Sequence, residues 1–147
     1  MLILLALVLA LAPAPAARER TPVSAGSGAG CRTVSVTSAT QQTNRRLFSA
    51  SQTLELKITT TFPNTLTGSR RLQLRLLTPQ GHLYQAFSIP FDATLPRHER
   101  GAVRSVSARL PVAGTAITTN GLYGRWTIEP SLDGAPCTTE RHFDLEP

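Results

Sequence analysis

Apolar side chains recur at every second position along most of this chain. Leu56, Ile58 and Phe62 alternate with polar residues in one segment, and the spacing returns in six others. The seven segments cover residues 33–38, 54–62, 71–76, 83–91, 106–112, 125–132 and 137–145. Successive side chains of a strand point to opposite faces, so this period indicates strands with one buried face. No stretch after Ala17 carries a helical apolar stripe over three turns, and the sequence therefore predicts an all-β protein.

Turn-forming residues separate these segments. Pro63-Asn64, Thr78–Gly81 and Asn120-Gly121 are expected to form turns or loops, and Asp133-Gly134 is typical of a type I′ hairpin. About seven strands with turns at this spacing predict a single antiparallel β-sandwich, and a β-barrel is the alternative. Pro90 lacks an N–H group, which predicts that its strand lies at the edge of a sheet or ends there.

The segment from Asn120 to Ile128 and the strand count resemble immunoglobulin-like and fibronectin-like sandwiches of exported bacterial proteins. The resemblance covers residues 31–147 as one domain. It implies that Tyr123 forms a corner with upstream backbone and that the first strand runs parallel beside the last. That neighbour relation would bring Cys31 and Cys137 together. The chain departs from the family in lacking the usual inter-sheet cysteine pair, and Trp126 lies in the sixth strand.

The N-terminal segment predicts export. Residues 2–12 are an uninterrupted apolar run that is too short to span a membrane, and Ala14-Pro15-Ala16 has the small-x-small form of a cleavage site. We expect a signal peptide at residues 1–17 and a flexible leader at residues 18–30. The mature chain then has no transmembrane segment and is periplasmic, at the cell surface or secreted. A retained anchor or a buried N-terminal helix is the alternative.

The chain has two cysteines, Cys31 and Cys137. An exported protein with an even number of cysteines favours a disulfide. The alternatives are a lipid anchor on Cys31 and two free thiols. Neither cysteine belongs to a Cys-x-x-Cys pair, so redox catalysis has no support.

Basic side chains exceed acidic ones, with fifteen Lys and Arg against nine Asp and Glu. Two basic groups are candidate binding surfaces for a protein partner: Arg70, Arg71 and Arg75, and then Arg97, His98, Arg100 and Arg104. A basic patch suits an acidic protein, an anionic glycan or a lipid head group. Ordinary surface charge is the alternative. The basic residues do not interleave with aromatic ones, so we expect no nucleic-acid partner.

The last segment offers one candidate metal site. Glu140, His142 and Asp144 share a strand face and carry ligand groups that suit zinc or copper. The alternative is a cross-strand charge ladder: the Asp133-Gly134 hairpin register puts Arg125 opposite His142 and near the carboxylates. Tyr84 is expected on an outward face, as a rim residue or as an anchor for a partner.

The catalytic motifs Gly-x-Ser-x-Gly, His-Glu-x-x-His and the P-loop do not occur. We therefore expect a protein without enzymatic activity or cofactor. The hypothesis is a binding or structural module of a bacterial cell envelope or secreted assembly, which recognises a protein partner by its surface or by an edge strand. The alternative is a soluble periplasmic protein that captures an anionic glycan or a metal ion.

Overall fold

The computed structural model describes residues 30–39, 46–94, 103–137 and 141–147. Within these ranges the chain forms nine strands and one short helix. The elements are β1 (Thr33–Ser38), β2 (Leu47–Ser49), β3 (Glu55–Phe62), β4 (Ser69–Leu77), β5 (Leu83–Asp92), β6 (Arg104–Pro111), α1 (Ala116–Thr119), β7 (Gly124–Leu132), β8 (Ala135–Pro136) and β9 (Arg141–Glu146). The predicted signal peptide at residues 1–17 and the leader up to residue 29 lie outside the described residues.

The strands form two sheets, which confirms the predicted all-β sandwich. Sheet A has the order β1-β3-β6, and sheet B has the order β2-β9-β7-β4-β5, with β8 paired to β7. Every pairing is antiparallel except that of β2 with β9. No helix of the described residues is long and apolar enough to cross a membrane.

The neighbour of the last strand differs from the prediction. β1 pairs antiparallel with β3 in sheet A, and the short strand β2 runs parallel beside β9 in sheet B. The N-terminal part of the sandwich is thus divided between the two sheets, with β1 in sheet A and β2 in sheet B. The short strand β2 carries only Phe48 into the core, so its period-two signal is too weak to read from the sequence.

The space between the sheets is filled by the alternating apolar residues. Phe62, Trp126 and Phe143 are among the largest side chains with no exposed surface. The outer face of sheet A is polar and rich in hydroxyl groups: Thr33 bonds Thr61 at 2.6 Å, and Thr59 bonds Ser107 at 2.9 Å. Each strand of sheet A therefore has one dry and one solvated face, as its period predicts.

Trp126 lies at the centre of the core. Its indole N–H donates to the carbonyl of Leu122 at 2.9 Å, and its ring stacks on Phe143 with centroids 5.9 Å apart. Tyr84 meets the same ring edge to face at 5.1 Å. One side chain thus joins β7 to β9, to β5 and to the loop after α1.

The prediction that Tyr84 faces outward is wrong. The register between β4 and β5 shifts at Leu76 and Leu77, which is a β-bulge that reverses the alternation at the start of β5. Leu83 is exposed as a result, and Tyr84 packs half-buried against the core. A bulge leaves no trace in a pattern of alternating residues, so the sequence did not indicate this inversion.

Two local predictions are confirmed. Asp133 and Gly134 have φ values of 51° and 85°, which the type I′ hairpin requires at both positions. The Tyr123 hydroxyl donates to the carbonyl of Thr118 at 3.4 Å, which is the expected corner before β7.

The disulfide between Cys31 and Cys137 is present, as predicted, and closes a sequence separation of 106 residues. Cys31 precedes β1 in sheet A, and Cys137 follows β8 in sheet B. The bond therefore links the two sheets covalently. Both cysteines are buried, which shields the bond from solvent.

We predict that replacing both cysteines by serine lowers the free energy of unfolding by about 4–5 kcal/mol, because a loop of this length loses its closure constraint. Urea denaturation measures the change. A reductant should lower the free energy of unfolding of the wild type to that of the variant and leave that of the variant unchanged. Equal midpoints for the oxidised and reduced wild type would contradict the prediction.

We predict that Tyr84→Ala lowers the free energy of unfolding by about 2 kcal/mol, because it removes the ring that packs on Trp126. Tyr84→Phe keeps that ring and should change stability by less than about 0.5 kcal/mol. Thermal and urea denaturation compare the two. If both variants change the free energy of unfolding by the same small amount, the Tyr84 ring does not pack in the core.

Candidate interaction surface on sheet B

β4 presents alternate residues to solvent and to the core. Leu72, Leu74 and Leu76 are fully buried, so Arg71 and Arg75 point away from the core on one exposed face, as the sequence predicts. Arg70 has the opposite parity and lies half-buried at the start of the strand. The candidate group Arg70, Arg71 and Arg75 is therefore divided between two faces.

Arg70 is held by the β7–β8 turn. Its guanidinium forms an ion pair with Asp133 at 3.1 Å and donates to the carbonyl of Thr67 at 2.9 Å. Arg75 is paired across the sheet with Glu129 at 2.8 Å. Both cations are locally compensated, and each already has a carboxylate in a fixed position.

Arg71 differs from these two. Its guanidinium extends over the neighbouring strand β5 and donates to the Ser88 hydroxyl at 3.3 Å. No carboxylate of the described residues lies within ion-pair distance of it. Arg71 is thus a cation beside the outer strand of sheet B that has no ion-pair partner in the part of the chain that the structure describes.

The main chain of Arg71 is fixed by Asp133 on the side away from β5. The Arg71 N–H donates to the Asp133 carboxylate at 2.9 Å, and the Asp133 N–H donates to the Arg71 carbonyl at 2.9 Å. Arg71 lies opposite Pro90 in the β4–β5 ladder. Because the N–H and C=O groups of Arg71 point away from β5, the two residues form a non-hydrogen-bonded pair. Pro90 accordingly loses no hydrogen bond to β4.

This pairing sets the direction of every peptide group along β5. Hydrogen-bonded and non-hydrogen-bonded pairs alternate in an antiparallel ladder, so Ser88 and Ala86 also direct their N–H and C=O groups away from β4. β5 is the last strand of sheet B, and no described strand pairs with its outer side. Pro90 at an edge confirms the prediction drawn from the sequence.

We call this feature the β5 edge: the outward peptide groups of Ala86, Ser88 and Pro90 and the inward side chains of Phe87, Ile89 and Phe91. The three inward side chains are only half-buried, although Leu72 and Leu74 on the neighbouring strand are fully buried. β5 carries no charged residue from Leu83 to Phe91. Edge strands are normally protected by charges, proline or bulges. β5 has a bulge at its start and Pro90 and Asp92 at its end, so only its central part, residues 86–89, is free of such protection.

The loop after β5 begins with a fixed turn. The Thr94 N–H donates to the Asp92 carboxylate at 2.9 Å, and the Arg104 guanidinium donates to the Asp92 carbonyl. The bonds from Thr94 are the main cause of a lowered pKa for Asp92, and Arg104 adds to it, so Asp92 is ionised at neutral pH. The candidates Arg97, His98 and Arg100 lie outside the described residues.

The register of the last hairpin differs from the prediction. Arg125 lies opposite Asp144, and Thr127 lies opposite His142. The register changes by two residues between the β7–β8 pairing and the β7–β9 pairing, so counting from the Asp133-Gly134 turn gave the wrong partners.

Two candidate metal ligands have protein partners. Asp144 is 3.4 Å from the Arg125 guanidinium, and the His142 ring is 3.2 Å from the Thr127 hydroxyl. Glu140 lies outside the described residues. The described ranges contain no cluster of three or more residues suited to holding a metal ion. The arrangement seen is an ion pair and a hydrogen bond between neighbouring strands.

Comparisons with known proteins identify no family for this chain. No family model matches it, and no curated protein matches its sequence. Solved structures with a similar fold include the alkylpurine DNA glycosylase AlkC of Pseudomonas fluorescens bound to DNA containing an abasic site analogue, at 14% identity and a TM-score of 0.47. That match covers 80% of this chain and 30% of the glycosylase chain.

A second similar structure is a CARDB domain from Pyrococcus furiosus in complex with di-metal ions. Its identity is 10% and its TM-score is 0.39, and the match covers 80% of this chain and 88% of the domain. Neither likeness is close enough to assign an activity, a ligand or a partner to this chain.

We predict that Asp133→Ala lowers the free energy of unfolding by about 2 kcal/mol, because alanine disfavours the positive φ and cannot bind the Arg71 N–H. Asp133→Asn tolerates that conformation and keeps an acceptor, so it should cost less than about 1 kcal/mol. Urea denaturation of the two variants checks this. Equal losses would show that the Asp133 charge, and not its backbone contacts, stabilises the turn.

Proposed function

We propose that this chain is a non-catalytic binding module that recognises an extended segment of a protein partner by adding it as a strand at the β5 edge. The observation that carries the proposal is the state of that edge. Ala86 and Ser88 direct complete peptide groups outward, and Phe87, Ile89 and Phe91 remain half-exposed beside them. An added strand would form hydrogen bonds with these peptide groups and would cover these apolar side chains.

A comparison with the outer strand β6 of sheet A supports β5 as the site of strand addition. β6 is also an outer strand, but its inward side chains Val106, Ala108 and Leu110 are already buried. A strand added beside β6 would gain main-chain hydrogen bonds alone. A strand added beside β5 gains the same bonds and buries apolar surface as well.

We place this module, as an immunoglobulin-like domain, in the bacterial cell envelope or in a secreted assembly. The buried disulfide supports this compartment because such bonds persist mainly in oxidising surroundings. The apolar N-terminal segment, read as a signal peptide, supports it independently. The intact mass of the native protein tests both: it should lack the apolar segment and be lighter by two hydrogens than the reduced chain.

We predict that Ser88→Pro prevents strand addition. The Ser88 N–H points away from β4, so proline at this position removes a donor to the partner without removing a main-chain hydrogen bond within sheet B. A photo-crosslinking residue at position 86, in the full chain in its native cells, should capture one partner protein. Ser88→Pro should reduce that adduct about tenfold or more.

Ser88→Ala is the matched control, because it removes the hydroxyl and keeps the N–H. A crosslinker at position 107, on the outer face of sheet A, controls for proximity without pairing. Circular dichroism and thermal denaturation establish that each variant folds. An adduct that survives Ser88→Pro, or that forms equally from position 107, would overturn the proposal.

A further inference from the structure

We infer that the segment received by the β5 edge alternates apolar with acidic residues, and that Arg71 selects it. This inference rests on the proposed function and names the chemistry of its partner. The apolar residues would cover Phe87, Ile89 and Phe91, and the acidic residues would lie on the outer face, where Arg71 is located.

The position of Arg71 supports the acidic half of this pattern. Its guanidinium crosses β5 to reach the Ser88 hydroxyl at 3.3 Å and has no carboxylate among the described residues. A strand paired with β5 would lie about 4.8 Å beyond it. A glutamate opposite Ser88 would have its Cβ about 5 Å from the Ser88 Cβ, which is within reach of the Arg71 guanidinium.

The neighbouring side chains leave this space open. Ala86, Ser88 and Pro90 are small and uncharged, and the Asp92 carboxylate at the end of β5 accepts from the Thr94 N–H. No bulky group therefore separates Arg71 from a strand added opposite Ser88. Arg75 lies on the same face but is held by Glu129 at 2.8 Å. Arg71 is therefore the basic residue of the candidate group that is positioned to meet the partner.

The same geometry disfavours a second copy of the chain as the occupant. Two β5 edges paired about a two-fold axis would bring both Arg71 guanidinium groups to one seam, where like charges repel. The formal charge of +6 acts in the same direction at longer range. An acidic segment of another protein removes both penalties.

The inference is tested with synthetic nonapeptides that alternate valine with glutamate, glutamine or lysine, using fluorescence anisotropy and the full disulfide-bonded protein. At low ionic strength the glutamate peptide should bind about three- to fivefold more tightly than the glutamine peptide, and the lysine peptide more weakly than either. Added salt should remove the difference between glutamate and glutamine.

Arg71→Gln should abolish the preference for glutamate and leave the affinity for the glutamine peptide unchanged. Lys57→Gln is the matched control, because it removes one positive charge from the outer face of sheet A and should keep the preference. Thermal denaturation confirms that both variants fold.

The outcomes separate this inference from the function on which it rests. If no peptide binds, or if binding survives Ser88→Pro, strand addition at the β5 edge is wrong and both proposals fall. If Ser88→Pro blocks all peptides but glutamate and glutamine bind equally, only the acidic partner is wrong. Self-association of the protein through β5, detected by sedimentation and removed by Ser88→Pro, would also overturn the acidic partner.

Discussion

The burial of Trp126 is the interaction on which the rest of this sandwich depends. The indole has no exposed surface, and its one polar atom is satisfied by the carbonyl of Leu122. Phe143 stacks on it from β9, and Tyr84 reaches it from β5 through the bulge at Leu76 and Leu77. A side chain of this size in the central strand fixes the register of its neighbours, because a slip of one residue would move it to the solvated face.

Asp133 connects the turn after β7 to strand β4, which lies next to the outer strand of sheet B. Its carboxylate and its N–H both bond the main chain of Arg71, whose peptide groups therefore point away from β5. The phase of the ladder then decides that Ala86, Ser88 and Pro90 direct their peptide groups outward. The turn residue Asp133 thus belongs to the same hydrogen-bond network as the outer strand, although it lies two strands away.

The surface charges of sheet B differ in whether they are already compensated. Arg70 and Arg75 have carboxylate partners, and such exposed pairs contribute little to stability. Arg71 has none among the described residues and lies against the outermost strand. Of Arg70, Arg71 and Arg75, only Arg71 therefore lacks a carboxylate partner among the described residues, so these three residues do not form a uniform charged patch.

Four features could be predicted from the amino-acid sequence: the fold class, the Asp133-Gly134 hairpin, the Tyr123 corner and the edge position of Pro90. Each of these follows from side-chain period or from the backbone preference of one or two residues, which are local properties. The pairing of the two cysteines was indicated by their even number and by the predicted export. The sequence also placed Arg71 and Arg75 on one face, because strand parity is local as well.

The remaining features depend on how the strands pack and pair in three dimensions. The bulge that turns Tyr84 inward, the two-residue change of register before β9 and the pairing of β2 with the last strand arise from contacts between distant segments. The same holds for the difference between Arg71 and Arg75, since Glu129 and Ser88 lie on two other strands. Alternation tells which face a side chain takes, but its partner depends on register between strands, and core packing sets that register.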